Sequence, residues 1–302
     1  MKMRILMAVV AMLGISSVAF GDEIDNRFQK ARKYLNDSKM TITTTVDQAY
    51  TQDAILVIGE GVPKKGTTGG QKRLTAITAA KVVAQRRLAE LIEGVAIVSE
   101  TTVKDSELVS DAIKTAVTGF IKGAQPVMQE WNEKEETALV ILKIGMSGPK
   151  SFAAVMYEKI LTEPKIKQEL EKPAYAPPAD IPQAAPVALG AYDGLIIDAT
   201  EHTFRPALIN RIFNAKGEVL YDPAKISQKV LVEQGCGEYT NSVDKAKAAL
   251  GKRGVKNPLV VKASGTVSPS DLQVSDDTAV KIFSANQSSP FMADARVAFV
   301  LK

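Results

Sequence analysis

Residues able to do covalent or metal chemistry are scarce in this chain. Its 302 residues hold one histidine, His202, and one cysteine, Cys236. A Ser-His-Asp arrangement or a histidine zinc site would have to use His202, and no helper or second ligand stands at a supporting spacing. Cys236 sits in Gly235-Cys236-Gly237 with no His or Lys beside it to activate the thiol. Its expected role is that of a small residue in a turn. Carboxylates gather at Glu130, Glu133, Glu135 and Glu136 around a hairpin tip. Acids placed there diverge into water, whereas metal binding and glycoside cleavage need them to converge at fixed separation. Gly59, Gly61, Gly66, Gly69 and Gly70 lie between a strand and a helix, where phosphate loops occur. Their spacing fits neither the dinucleotide nor the Walker pattern, so a mobile connection is expected. The reading is a non-enzyme with no catalytic, metal or cofactor-binding residues.

Binding is the chemistry that remains. Lys81, Arg86 and Arg87 share one long predicted helix, with Glu90 four residues beyond Arg86. A solvated face with local ion pairing accounts for them, and a surface for an anionic partner such as cell-wall polymer is the sharper reading. Trp131, the only tryptophan, is expected to anchor a core or sheet face.

The elements that carry these residues follow from periodicity. Ile24, Phe28, Ala31 and Leu35 recur at helical spacing at the start of the mature chain. Ala54 to Val62 is strand-like. Leu74, Ile77, Ala80, Ala84, Leu88 and Leu91 then mark one face of a long helix, capped at Gly94. Its many alanines would let it lie close against a sheet. Val95 to Val103 reads as the next strand. Asp105 is placed to cap a helix burying Leu108, Ala112, Ile113, Ala116 and Val117. Two strands, Gln125–Trp131 and Thr137–Met146, close the unit, and Pro149 opens a further helix bearing Phe152, Met156 and Ile160. The first domain thus runs strand-helix-strand-helix-strand-strand. From Pro173 to Pro186 the composition is that of a stiff, extended spacer. The second domain opens on Leu195–Ile197. It continues through a hairpin turning at Asn214–Gly217, a short helix ending at Leu250, strands at Leu259–Ala263 and Leu272–Val274, a helix capped by Ser275, and the terminal strand Val297–Leu301.

Composition bounds the class. The chain starts with Lys2 and Arg4, an apolar run from Ile5 to Val18, and Ala19-Phe20-Gly21 before Asp22-Glu23. That is the pattern of a cleavable secretory signal, and the run is short for a membrane span. Residues 1–21 are expected to be the signal peptide, and no transmembrane segment is expected in the mature chain. About 280 residues then remain, room for two domains of ordinary size. The net charge of +4 halves without Lys2 and Arg4, too little for a general nucleic-acid binder. Hydrophobic content of 45% supports sizeable cores, which a chain with one cysteine needs, having no internal disulfide. The expected organisation is an N-terminal module over 22–162, a Pro/Ala-rich linker over 163–190 and a C-terminal domain over 191–302. The fold class is α+β, two small mixed α/β domains.

A resemblance sharpens this. The run Ala76-Ile-Thr-Ala-Ala-Lys-Val-Val-Ala-Gln-Arg-Arg-Leu-Ala-Glu-Leu-Ile-Glu-Gly-Val95, with Ser99-Glu-Thr-Thr-Val103 after it, resembles the lipoprotein-20 family of bacterial envelope proteins and the N-terminal domain of flagellar assembly protein T. Gly194-Leu-Ile-Ile-Asp-Ala, Pro206-Ala-Leu, Gly217-Glu-Val-Leu-Tyr and Asn257-Pro-Leu-Val-Val-Lys-Ala resemble a tail domain often joined to that module. The resemblance implies an exported, non-enzymatic protein with no catalytic residues to carry over. The chain lacks the lipid-accepting cysteine of anchored members. The expectation is therefore a periplasmic component of envelope assembly or structure, flagellum-associated in one branch. The alternative is a periplasmic binding module for a small molecule or a cell-wall fragment. Expected partners are envelope proteins or cell-wall polymer, with self-association into a homo-oligomer left open.

Overall fold

Helix α1 (Gln29–Ser38) and the short α2 (Val46–Thr51), whose first turn Thr45 caps through its side chain, lead into β1 (Ala54–Gly61). The computed structural model describes residues 27–177 and 192–302. The expected signal peptide, Ile24 and most of the Pro/Ala-rich linker lie outside them.

Strand β1 is buried on both faces, because its residues alternate between two apolar layers. Ile55 and Val57 face the long helix α3 (Gly70–Glu93), while Leu56 and Ile58 join Phe28 and Ala31 of the α1 side. The sheet is completed by β4 (Pro126–Asn132) and β5 (Thr137–Gly145), all antiparallel in the order β1-β5-β4. Alanines 76, 80 and 84 are the buried face of α3, with Leu88 and Ile92. The expected face shares Ala80, Ala84 and Leu88 with it, but Leu74, expected on that face, is 67% exposed. The reason lies in the strand. A side chain at Gly59 would meet Ala80 O at 2.1 Å, and one at Gly61 would meet Ala76 O at 2.3 Å, so the helix backbone rests directly on β1. Only alanines fit such an approach, and the leucine is turned out.

The expected strand Val95–Val103 is a hairpin, β2 (Ala96–Val98) and β3 (Thr101–Thr102). It turns at Ser99, which takes φ 54°. Thr102 and Asp105 form a reciprocal capping box on α4 (Val103–Glu107), so Asp105 is the third helical residue and not the cap. The chain breaks again and α5 (Asp111–Gly123) starts at Ser110, leaving Leu108 80% exposed instead of buried. Ser151 caps α6 (Phe152–Ile160), and α7 (Pro164–Leu170) follows with Pro164 at its start.

The second domain, from residue 194, holds two sheets. Strands β6 (Gly194–Asp198), β9 (Glu238–Thr240), β10 (Pro258–Lys262) and β13 (Val297–Val300) form a parallel sheet, β10-β6-β13-β9. The other, β11-β12-β7-β8, is mixed, from β7 (Arg211–Phe213), β8 (Val219–Tyr221), β11 (Gly265–Ser268) and β12 (Asp271–Gln273). Gly217 takes φ 80° in the β7–β8 turn, the conformation its place in the hairpin demands. Helices α8 (Gln228–Gln234), α9 (Val243–Lys252) and α10 (Asp276–Ser288) complete it, each capped by a serine side chain. The fold is thus mixed α+β in two domains.

The domains share one core. Residues of β1, α3 and α6 and residues of β6, β9, β12 and α10 belong to a single cluster of buried apolar side chains. Backbone pairing crosses the junction as well, with Leu208 N–H on Ala96 O at 2.9 Å and Ile209 N–H on Ile97 O at 2.8 Å. Pro173 and Tyr175, within the expected linker, flank a parallel bridge that adds Ala174 to the edge of β8.

Candidate functional site

His202, Cys236 and three of the four turn acids have a structural occupation, while Glu133 is exposed. His202 Nε2 lies 3.2 Å from Ala263 O, a contact in which the ring nitrogen donates and the carbonyl accepts. Cys236 is buried at the junction, its Sγ 3.0 Å from Tyr239 Oη and 3.7 Å from Ala207 O. Burial pushes its thiol up, the reverse of what a nucleophile needs. The same burial holds the hydroxyls of Tyr50, Tyr157, Tyr221 and Tyr239 in their neutral form. The cavity beside them measures about 50 Å³, too small for an organic ligand.

Among the turn acids, Glu130 accepts the N–H groups of Lys30 and Ala31 at 3.2 and 2.9 Å, a carboxylate placed on the positive end of α1. Glu136 meets Lys72, and Glu135 lies 3.9 Å from Arg27. Trp131 is half-buried and packs against the main core. Gly59 and Gly61 prove to be strand residues under α3, while Gly66, Gly69 and Gly70 have open space around them.

The three basic residues of α3 do not act as one patch. Arg87 Nη1 donates to Ile58 O at 2.9 Å, on the outer edge of β1. Thr43 covers the same edge at Leu56, giving its N–H to Leu56 O and accepting the Leu56 N–H on its hydroxyl, both at 2.8 Å. Arg87 therefore helps blunt an edge strand that would otherwise invite pairing with another chain. Arg86 is exposed and Lys81 half-buried. Arg86 shares its outward face with Leu74, Thr78, Val82 and Glu90, four residues apart in turn, and Val82 is 51% exposed.

Where the domains meet, the sequence concealed its most organised polar cluster. Arg211 and Asp271, on neighbouring strands, are each 1% exposed at the side chain. The guanidinium grips both carboxylate oxygens, Nε to Oδ1 at 3.0 Å and Nη2 to Oδ2 at 2.8 Å. It also reaches the first domain, with Nη2 on Ser99 Oγ at 2.7 Å and Nη1 on Glu169 O at 2.9 Å. Ser99 Oγ in turn donates to Asp271 Oδ2 at 2.9 Å, and Ser268 Oγ does so at 2.8 Å. A charge in the middle of the apolar run Leu208–Phe213 was the available signal, since a strand buries such a residue only when it is paired.

Beside this cluster runs a groove of about 520 Å³, which only the assembled domains create. Its charged residues are Asp47, Glu100 and Arg205, joined by the hydroxyl residues Thr45 and Thr102.

Residues 194–302 match a family model described as Treponema pallidum Tp0624, second domain. No curated protein matches the chain. What the fold and junction define is a two-domain α+β protein. Its second domain is similar to that Treponema domain.

Proposed function

We propose that this protein is a non-enzymatic, periplasmic component of the bacterial cell envelope that acts in assembly or structure by holding a protein partner. The observation that carries the reading is the outward face of α3. Leu74 and Val82 are large apolar residues left in water on a rigid helix, with Arg86 in the same row. Apolar anchors beside an arginine are the composition of protein-binding surfaces. The reading is also supported by the use of His202 and Cys236 within the fold, and by the leader-like start of the sequence. The resemblance of residues 76–103 to the lipoprotein-20 family and to flagellar assembly protein T points to the same compartment, with flagellar assembly as the narrower form of the proposal. Arg86 and the exposed apolar pair are the docking residues, while Arg87 positions the helix against β1. Capture of partners from envelope extract by the mature chain tests this. A retained envelope protein that is lost with a Val82→Asp/Arg86→Glu variant is the expected result. An identical set retained by both chains would contradict it.

The alternative, a binding module for a small molecule or cell-wall fragment, has its own observation in the groove between the domains.

A further inference from the structure

We infer that the groove between the domains binds a short peptide through its two free ends, with Asp47 and Glu100 the carboxylates available to its ammonium and Arg205 the guanidinium available to its carboxylate. The inference is independent of the α3 docking face.

Size comes first. At about 520 Å³ the groove falls within the range of small-ligand sites, unlike the junction cavity. Charge comes next. Arg205 is close enough to Asp47 to pull its carboxyl downward, against the larger upward push of burial. Yet Asp47, Glu100 and Arg205 take no part in an ion pair within 4.0 Å among the described residues. Two carboxylates and one guanidinium thus line one groove without neutralising each other by contact. A ligand with charge of both signs answers all three, whereas a simple anion or cation meets at least one like charge.

The groove is also built, not incidental. Asn210 is fully buried and its Nδ2 donates to Arg205 O at 3.1 Å and to Ser270 O at 2.5 Å, while its Oδ1 accepts Ala207 N–H at 2.7 Å. Arg205 N–H donates to Pro269 O at 2.7 Å. One buried side chain therefore fixes both second-domain loops that reach the groove. Ser270 Oγ donates to Ser99 O at 2.8 Å and ties those loops to the hairpin carrying Glu100. On the other wall, the Thr45 cap fixes the turn that presents Asp47. Preorganised walls lower the ordering cost of binding, which matters most for small polar ligands.

The test is calorimetric or NMR titration of the whole mature protein with three probes, namely trialanine, its N-acetylated form and its C-terminal amide. Saturable binding of trialanine is expected, with each blocked form weaker by about tenfold, the equivalent of one lost charge-assisted hydrogen bond. Arg205→Ala should erase the preference for a free carboxylate and leave that for a free amine. Asp47→Asn should reduce the preference for the amine. Both residues are exposed, so folding is not at risk and circular dichroism checks it. No saturation by about 10 mM trialanine, or binding indifferent to end-blocking or to Arg205→Ala, would overturn the inference. Those results would leave the α3 docking proposal untouched, since none of its residues lines the groove.

Discussion

Arg211 holds both oxygens of Asp271 inside a core that two domains share, at 3.0 and 2.8 Å, with neither side chain touching water appreciably. The pair sits on adjacent strands of one domain, and besides Ser268 beside it, its side chains bond to Ser99 and Glu169 of the other. Burying two charges is costly, and geometry this complete is what makes it tolerable. The pair therefore selects one docking of the domains over others.

Removing one partner should be worse than removing both. Arg211→Met leaves a buried carboxylate unpaired and should cost about 3–5 kcal/mol. The double variant Arg211→Met/Asp271→Leu should recover a substantial part of that. Urea denaturation measures both. Equal losses in the single and double variants would show that packing, not charge, holds the junction.

Two glycines should respond in opposite directions to alanine. At Gly59 the new methyl meets backbone atoms at 2.1 and 2.4 Å, so α3 must lift from β1, at a cost of about 1–3 kcal/mol or more. At Gly119, within α5, nothing lies within 4 Å, and Gly119→Ala should stabilise by about 0.5–1 kcal/mol. Thermal melts of the two variants decide the point.

Cys236 should be chemically silent until the junction opens. Its thiol is buried and burial raises it, so modification by a maleimide in native buffer should be slow and should track unfolding in urea. Labelling as fast as that of free cysteine in the native protein would mean that the domains part readily.

Two carboxylates should tilt the acid limb of stability in opposite senses. Thr200 hydrogen bonds hold the Asp198 carboxyl below its usual range, first through the side chain. A folded pKa below the unfolded one gives stability present above the unfolded value, near 3.9, and lost as pH falls through the folded one. Asp198→Asn should therefore flatten the loss of stability at acid pH. Asp53 is raised, mainly by burial, so its contribution is present below the unfolded value and lost as pH rises through the folded one. Asp53→Asn should change the slope with the opposite sign in denaturation curves collected from acid to neutral pH.

The sequence revealed the layers better than the junction. The unbroken apolar run of β1 and the alanines of α3 are local signals, so the helix-on-sheet unit and its close approach could be read directly. Leu74 misled because an apolar residue at helical spacing looks buried whichever way the helix is rotated, and the glycines of β1 set that rotation. The hairpin at Ser99 was hidden because a left-handed serine leaves no composition signal. Of the arginines on α3, Arg86 was legible as an exposed charge. Arg87 was not, since its partner is a backbone carbonyl. The groove was out of reach altogether, for its walls come from residues 45–47, 94–102, 205–206 and 269–270, and no local pattern links them.

The central claim, that the protein works by holding an envelope partner on α3, is tested most directly by photo-crosslinking in living cells. A benzophenone amino acid at Val82 reports on that face, and one at Lys229, on α8 of the other domain, serves as a control. The account predicts a discrete protein adduct from Val82 in the envelope fraction, carried by a chain lacking its leader, and weakened by Arg86→Glu. No adduct at Val82, or one equally strong at Lys229 and indifferent to Arg86→Glu, would contradict it.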